Sequence, residues 1–93
     1  MRVIIFTRTS PPCGFCQMAK LYLADHNIPY SETIYNDPTA QAAMFDSLGL
    51  SGGERTVPQI FLVEADGHRT RIGGYSDLRH SNVAARIMAA NTV

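Results

Sequence analysis

Cys13-Gly14-Phe15-Cys16 sets two thiols three positions apart, after an apolar run and ahead of a helical pattern. Such a pair can close into a small disulfide ring and open again, which is the chemistry of thiol–disulfide exchange. At the N-terminus of the helix that follows, the Cys13 sulfur would face unpaired backbone N–H groups and the positive end of the helix dipole, both of which favour thiolate over thiol. Cys13 is therefore the candidate nucleophile. Cys16, one turn further in and expected to be more buried, is the candidate resolving thiol: it attacks the mixed disulfide on Cys13 and releases the reduced substrate. Two inert core cysteines are the plain alternative, and their placement before a helix argues against it. No metal site is expected, since zinc wants four ligands and His26, His68 and His80 are scattered without paired spacing.

The rest of the chain must position that pair. Its 93 residues leave room for one domain, residues 1–93, with a single modest core. Eight basic residues balance eight acidic ones, so no broad attraction to nucleic acid or membrane is implied. The opening run Met1-Arg2-Val3-Ile4-Ile5-Phe6 is too short for a signal peptide, and no stretch approaches the ~20 apolar residues of a membrane span. The cytoplasm is the expected location, and in that reducing compartment cysteines at this spacing are kept for reactivity more often than as a staple.

Val3 to Phe6 reads as a strand buried on both faces. Thr7 to Pro12 breaks it, and its two prolines make a loop that delivers Cys13 to a helix from about Gly14 to His26, with Phe15, Ala19, Tyr22 and Leu23 at helical spacing. Tyr30 to Tyr35 alternates as a second strand, and the strand–helix–strand order implies a parallel pair. Asp37 then caps a helix with Pro38 at its first position and Met44 and Leu48 on one face, stopped by Gly49. Gly49 to Arg55 reads as a polar, flexible loop; without a Gly-Lys-Ser/Thr ending it is no phosphate loop. Val57 to Val63 and about Arg69 to Ile72 form an antiparallel hairpin around Ala65-Asp66-Gly67, with Arg69 and Arg71 on its solvated face. Ser76 caps a last helix from about Asp77 to Ala90, with Leu78, Val83, Ile87 and Ala90 as core contacts. The predicted order is βαβαββα.

With this order, three motifs make the chain resemble the glutaredoxins, a branch of the thioredoxin-like fold: Cys13-Gly14-Phe15-Cys16, Thr56-Val57-Pro58-Gln59-Ile60-Phe61, and Ile72-Gly73-Gly74-Tyr75-Ser76-Asp77-Leu78. The resemblance covers nearly the whole chain and implies an α/β fold whose four-stranded mixed sheet carries helices on both faces. There are departures. The family's usual residues between the cysteines are Pro-Tyr; Gly14-Phe15 is what its monothiol, iron–sulfur-carrying members place after their single cysteine, and Cys16 returns this chain to the dithiol kind. The loop before Cys13 is about two residues longer than usual and, with the extended segment before Thr56, looks more like the small glutaredoxins of bacteriophages.

By this resemblance the activity is a glutathione-dependent reduction of protein disulfides and glutathione mixed disulfides, serving cell redox homeostasis as an electron carrier. Pro58 resembles the family's cis-proline opposite the cysteines; an edge-strand proline is the alternative. Thr56 and Val57 would take the cysteinyl backbone of glutathione in the manner of an added strand. Gly74, Tyr75, Ser76 and Asp77 would meet its γ-glutamyl end, Ser76 and the N–H groups facing the carboxylate and Asp77 the ammonium. Arg8 is either a partner of the glycine carboxylate and the Cys13 thiolate or a solvated charge. Tyr75 is either a wall of the groove or packing under the last helix, and Phe15 belongs either to an apolar rim around the thiols or to the core. Expected partners are glutathione and disulfide-containing proteins, ribonucleotide reductase being a common one for small family members, with the chain a monomer. Two alternatives stand beside this reading: a redoxin recharged by thioredoxin reductase, and a carrier whose [2Fe-2S] cluster is held between two chains by Cys13 and two glutathiones.

Overall fold

The computed structural model describes residues 1–91. In chain order it runs β1 (Arg2–Thr7), α1 (Gly14–Asp25), β2 (Tyr30–Ile34), α2 (Pro38–Ser47), a short 3-10 turn (Gly52–Glu54), β3 (Gln59–Val63), β4 (Arg69–Gly73), α3 (Tyr75–His80) and α4 (Val83–Asn91). The four strands form one sheet in the order β2-β1-β3-β4. β1 pairs parallel with β2 and antiparallel with β3, and β3 pairs antiparallel with β4, so the sheet is mixed as expected.

Alternation along the two central strands explains the layers. Val3 and Ile5 of β1 lie opposite Leu62 and Ile60 of β3, and this face carries the main core with Ala19 and Leu23 of α1, Leu78 of α3, and Val83 and Ile87 of α4. Ile4, Phe61 and Val63 point the other way and join Phe6 and Leu48, next to the Met44, Phe45 and Leu50 cluster under α2. Both faces of β1 are therefore covered, which is why its sequence reads as an uninterrupted apolar run. β2 is different: it lies at the sheet edge and all five of its residues are exposed, so its alternation marks no buried face.

The helix starts follow local chemistry. The Asp37 carboxylate accepts the Ala40 N–H at 3.1 Å and Pro38 takes the first position of α2, as predicted. The single last helix expected from Asp77 to Ala90 is instead two. Ser81 has extended backbone, donates its hydroxyl to the Leu78 carbonyl at 2.7 Å and its N–H to Asp77 O at 2.9 Å, and so ends α3 with bonds that compete with helix continuation. α4 restarts at Val83, with Asn82 O accepting from Arg86 N at 2.9 Å. The expected cap is also displaced: α3 begins at Tyr75 with Gly74 as N-cap, because the Asp77 carboxylate reaches back to the Gly74 N–H at 2.9 Å, and Ser76 lies inside the first turn. The Ala90 side chain, expected in the core, lies outside the described residues.

The segment from Gly49 to Arg55 is more anchored than a flexible loop. Leu50 is buried, and Arg55 donates to its carbonyl at 2.9 Å, pairs with Asp46 and lies over the Phe45 ring at 5.9 Å. Among the described residues no helix is long and apolar enough to cross a membrane.

Candidate active site

The long loop after β1 is held from the side. Asn36, just past β2, accepts the backbone N–H groups of Thr9 at 2.8 Å and Ser10 at 3.0 Å and donates to the Thr9 hydroxyl at 3.0 Å. A cis Ser10–Pro11 bond, which the sequence reading did not anticipate, and Pro12 then lead to Cys13. Cys13 caps α1: its sulfur lies 3.2 Å from the Cys16 N–H, and it is bonded to the Cys16 sulfur in a disulfide with the two Cα atoms 5.3 Å apart. Cys13 is 7% exposed and Cys16 1%, the order expected of an accessible and an inner sulfur.

Against this pair stands the segment that enters β3. The Val57–Pro58 bond is cis and the Val57 carbonyl oxygen lies 3.7 Å from Cys13 Sγ. A groove of about 250 Å³ runs past the disulfide, lined by Phe15, Thr56, Val57, Pro58, Gly74, Tyr75, Ser76 and Asp77. Segments about forty (Thr56–Pro58) and about sixty (Gly74–Asp77) positions beyond the cysteines are thus brought to one place. Phe15, 64% exposed, stands on the rim and stacks on Tyr75 with ring centroids 6.4 Å apart. Tyr75 meets both of its expectations, since it lines the groove and also packs against the main core, with Arg79 over its ring at 5.8 Å. Arg8 does not line the groove; its Nε donates to the Pro11 carbonyl at 3.2 Å within the same loop.

Gly73 fixes how the groove's far wall meets the sheet. It has φ +117, and a Cβ there would collide with the Asp77 carboxylate, 2.8 Å from its Cγ. The pairing of β3 with β4 slips by one residue just before it, between Ile60 and Phe61. A residue without a side chain is what lets the chain leave the sheet and enter α3 within two residues.

Beneath the loop lies a polar cluster that the sequence did not announce. The buried Thr7 hydroxyl donates to Glu32 Oε2 at 2.6 Å and Lys20 Nζ lies 3.1 Å from the same oxygen, tying β1, α1 and β2 together. Burial pushes the Glu32 carboxyl up, but the Thr7 bond, the Lys20 bond and the Lys20 charge outweigh it and hold it below its ordinary 4.5. Arg71 also departs from the reading of a merely solvated charge: it donates to the side chain of Gln59 at 3.1 Å.

The glutaredoxin family model matches residues 3–67. The chain belongs to the glutaredoxin family. It is 34% identical over 87 residues to the mitochondrial glutaredoxin-2 of Bos taurus, covering 92% of this chain but 50% of that relative, so the chain spans half of that protein's length. Among solved structures it resembles glutaredoxin 1 from Francisella tularensis, complexed with cacodylate, at a TM-score of 0.69 and 31% identity over 95% of this chain and 96% of that one. The fold is shared with the buckwheat glutaredoxin–glutathione complex at a TM-score of 0.65 and 22% identity, covering 94% and 73% of the two chains. Cys13 and Cys16 are the dithiol-type motif of a glutaredoxin thiol–disulfide oxidoreductase.

Proposed function

We propose that this protein reduces protein disulfides and glutathione mixed disulfides with glutathione as its electron source. The observation that carries the reading is the groove: a disulfide at a helix N-terminus beside an open channel whose walls are the Thr56–Pro58 and Gly74–Asp77 segments.

On a glutathione mixed disulfide, the Cys13 thiolate attacks the glutathione sulfur, forming a Cys13–glutathione disulfide while the substrate thiolate leaves and takes a proton. A second glutathione thiolate attacks the glutathione sulfur of that disulfide, returning the Cys13 thiolate and giving oxidised glutathione. On a protein disulfide, Cys13 first forms a mixed disulfide with the protein. Cys16 loses its proton and attacks Cys13 Sγ, the second protein sulfur leaves as a thiol, and the Cys13–Cys16 bond results; two glutathiones then reduce it. The Cys16 N–H beside Cys13 Sγ is placed to donate to the thiolate.

Support for glutathione as the reductant comes from the family and from the named complex of the same fold. In the groove, Thr56 and Val57 take its cysteinyl backbone as an added strand, Gly74 to Ser76 face its γ-glutamyl carboxylate, and the Asp77 oxygen not used by the Gly74 N–H faces its ammonium. Arg8 would have to leave Pro11 to reach the glycine carboxylate. Within the chain itself, a side chain at Gly14 would meet nothing within 4 Å, so packing does not require the glycine there.

Turnover of a glutathionylated peptide with glutathione, glutathione reductase and NADPH is the test. Wild-type activity, its abolition in Cys13→Ser and its survival in Cys16→Ser are expected. Absence of wild-type turnover, or reduction of the oxidised protein by thioredoxin reductase in place of glutathione, overturns the reading.

A further inference from the structure

Gln59 opens β3, the one polar residue in an otherwise apolar strand, and it is 1% exposed. A primary amide is costly to bury unless its donors and acceptor are used. All are used here. Nε2 donates to the Glu54 carbonyl at 3.0 Å and the Thr56 carbonyl at 2.7 Å, and Oε1 accepts from Arg71 Nε at 3.1 Å. The same Arg71 guanidinium lies 3.9 Å from the Glu54 carboxylate. The amide cannot sit the other way round, because Oε1 would then face two carbonyl oxygens and the NH2 group would face the Arg71 N–H.

Gln59 therefore ties to the sheet the Glu54 carbonyl, just ahead of the Thr56–Pro58 wall of the groove, and the Thr56 carbonyl within it, next to the Val57 carbonyl that stands 3.7 Å from Cys13 Sγ. Strand addition by a bound peptide needs backbone groups already held in place; a wall that has to be ordered on binding loses affinity while the chemical step, made by Cys13, is unaffected. We propose that Gln59, oriented by Arg71, is a positioning residue that holds the Thr56–Val57 wall in register with Cys13 and so sets affinity for the disulfide substrate. The inference rests on the reaction proposed above, in which Thr56 and Val57 receive the substrate backbone.

Gln59→Met keeps the length and apolar bulk of the side chain and removes its three bonds. Arg71→Met removes the orienting bond and the long ion pair with Glu54 from an exposed strand position, leaves both Gln59 Nε2 bonds, and keeps the test available if Gln59→Met does not fold. Three quantities are read in each: kcat and KM for a glutathionylated peptide, alkylation rate of reduced Cys13 by iodoacetamide, and amide hydrogen exchange. The expected result is a KM raised about tenfold in Gln59→Met and about threefold in Arg71→Met, with kcat and alkylation within about twofold, and faster exchange at Thr56 and Val57 but not at Ile5 or Leu62. Unchanged KM and exchange in the folded variants would overturn the proposal, as would a parallel loss of kcat and alkylation with exchange accelerated throughout the sheet. A wild-type protein without turnover refutes the reaction itself, and the exchange measurement then still decides whether Gln59 holds the wall.

Discussion

Replacing Gly73 by alanine should be far more damaging than one added methyl group suggests. At φ +117 an L side chain is strained, which costs on the order of 1–2 kcal/mol by itself. The new Cβ would also occupy the place of the Asp77 carboxylate, forcing that group off the Gly74 N–H it caps at 2.9 Å. Losing a cap of this kind costs about 1 kcal/mol. Together these predict a loss of about 2–3 kcal/mol, or a Tm lowered by roughly 10–20 °C for a chain of this size. Gly67 supplies the control: it has φ +89 in the β3–β4 turn, but a Cβ there meets nothing within 4 Å, so Gly67→Ala should show the strain alone. Thermal unfolding of Gly73→Ala, Gly67→Ala, Asp77→Ala and the Gly73/Asp77 double variant completes the experiment. The cap can be lost only once, so the double variant should be about 1 kcal/mol more stable than the sum of the single costs implies. Additive costs, or a Gly73→Ala protein no less stable than Gly67→Ala, would refute the reasoning.

Leu23→Ala, which truncates a fully buried residue of the main core, should cost about 2–5 kcal/mol in urea unfolding. Phe15→Ala, on the exposed rim, should stay within about 0.5 kcal/mol of wild type and instead raise KM for the glutathionylated peptide. The Glu32 carboxyl is held below its ordinary range, so its contribution to stability is fully present at neutral pH and is lost as pH falls through its depressed folded-state value. Lys20→Met should therefore destabilise at neutral pH, by less in high salt, and make little difference in strong acid, as measured by denaturant titration across pH. Asn36→Ala frees the Thr9 and Ser10 N–H groups and should cost about 1 kcal/mol or less at this exposed site, while speeding amide exchange in the loop ahead of Cys13.

The elements that announce themselves in sequence are those whose pattern comes from one strong cause. β1 is readable because both its faces are buried, and α2 because Asp37-Pro38 is a cap followed by a fixed φ. The last helix misleads because Leu78, Val83 and Ile87 keep helical spacing across a break, while the breaker, Ser81-Asn82, acts through local hydrogen bonds that periodicity does not register. Ser76 looks like a cap by type, but the carboxylate of Asp77 selects Gly74 instead. For the site, the cysteine pair is legible by itself. Its meeting with Thr56–Pro58 and Gly74–Asp77 is not, since no local pattern links segments that far apart; the family resemblance supplied that expectation. The Lys20–Glu32–Thr7 cluster and the buried amide of Gln59 were missed. A lone glutamine inside an apolar strand was the available signal for the second.

The Cys13–Cys16 ring is closed within the first turn of α1, and the groove walled by Thr56–Pro58 and Gly74–Asp77 lies beside it. In the reaction proposed above, a partner to be reduced and the thiol that restores the pair would both approach through this groove, the first product thiol leaving before the second reactant arrives. Such a protein would work by alternation, one thiol leaving before the next arrives, with the disulfide left on Cys13 as the memory of the last visit. Its velocity at varied concentrations of the two reactants should follow the parallel reciprocal plots of a double-displacement enzyme. Any molecule that lingers in the groove would slow both halves of the cycle, whichever half it resembles.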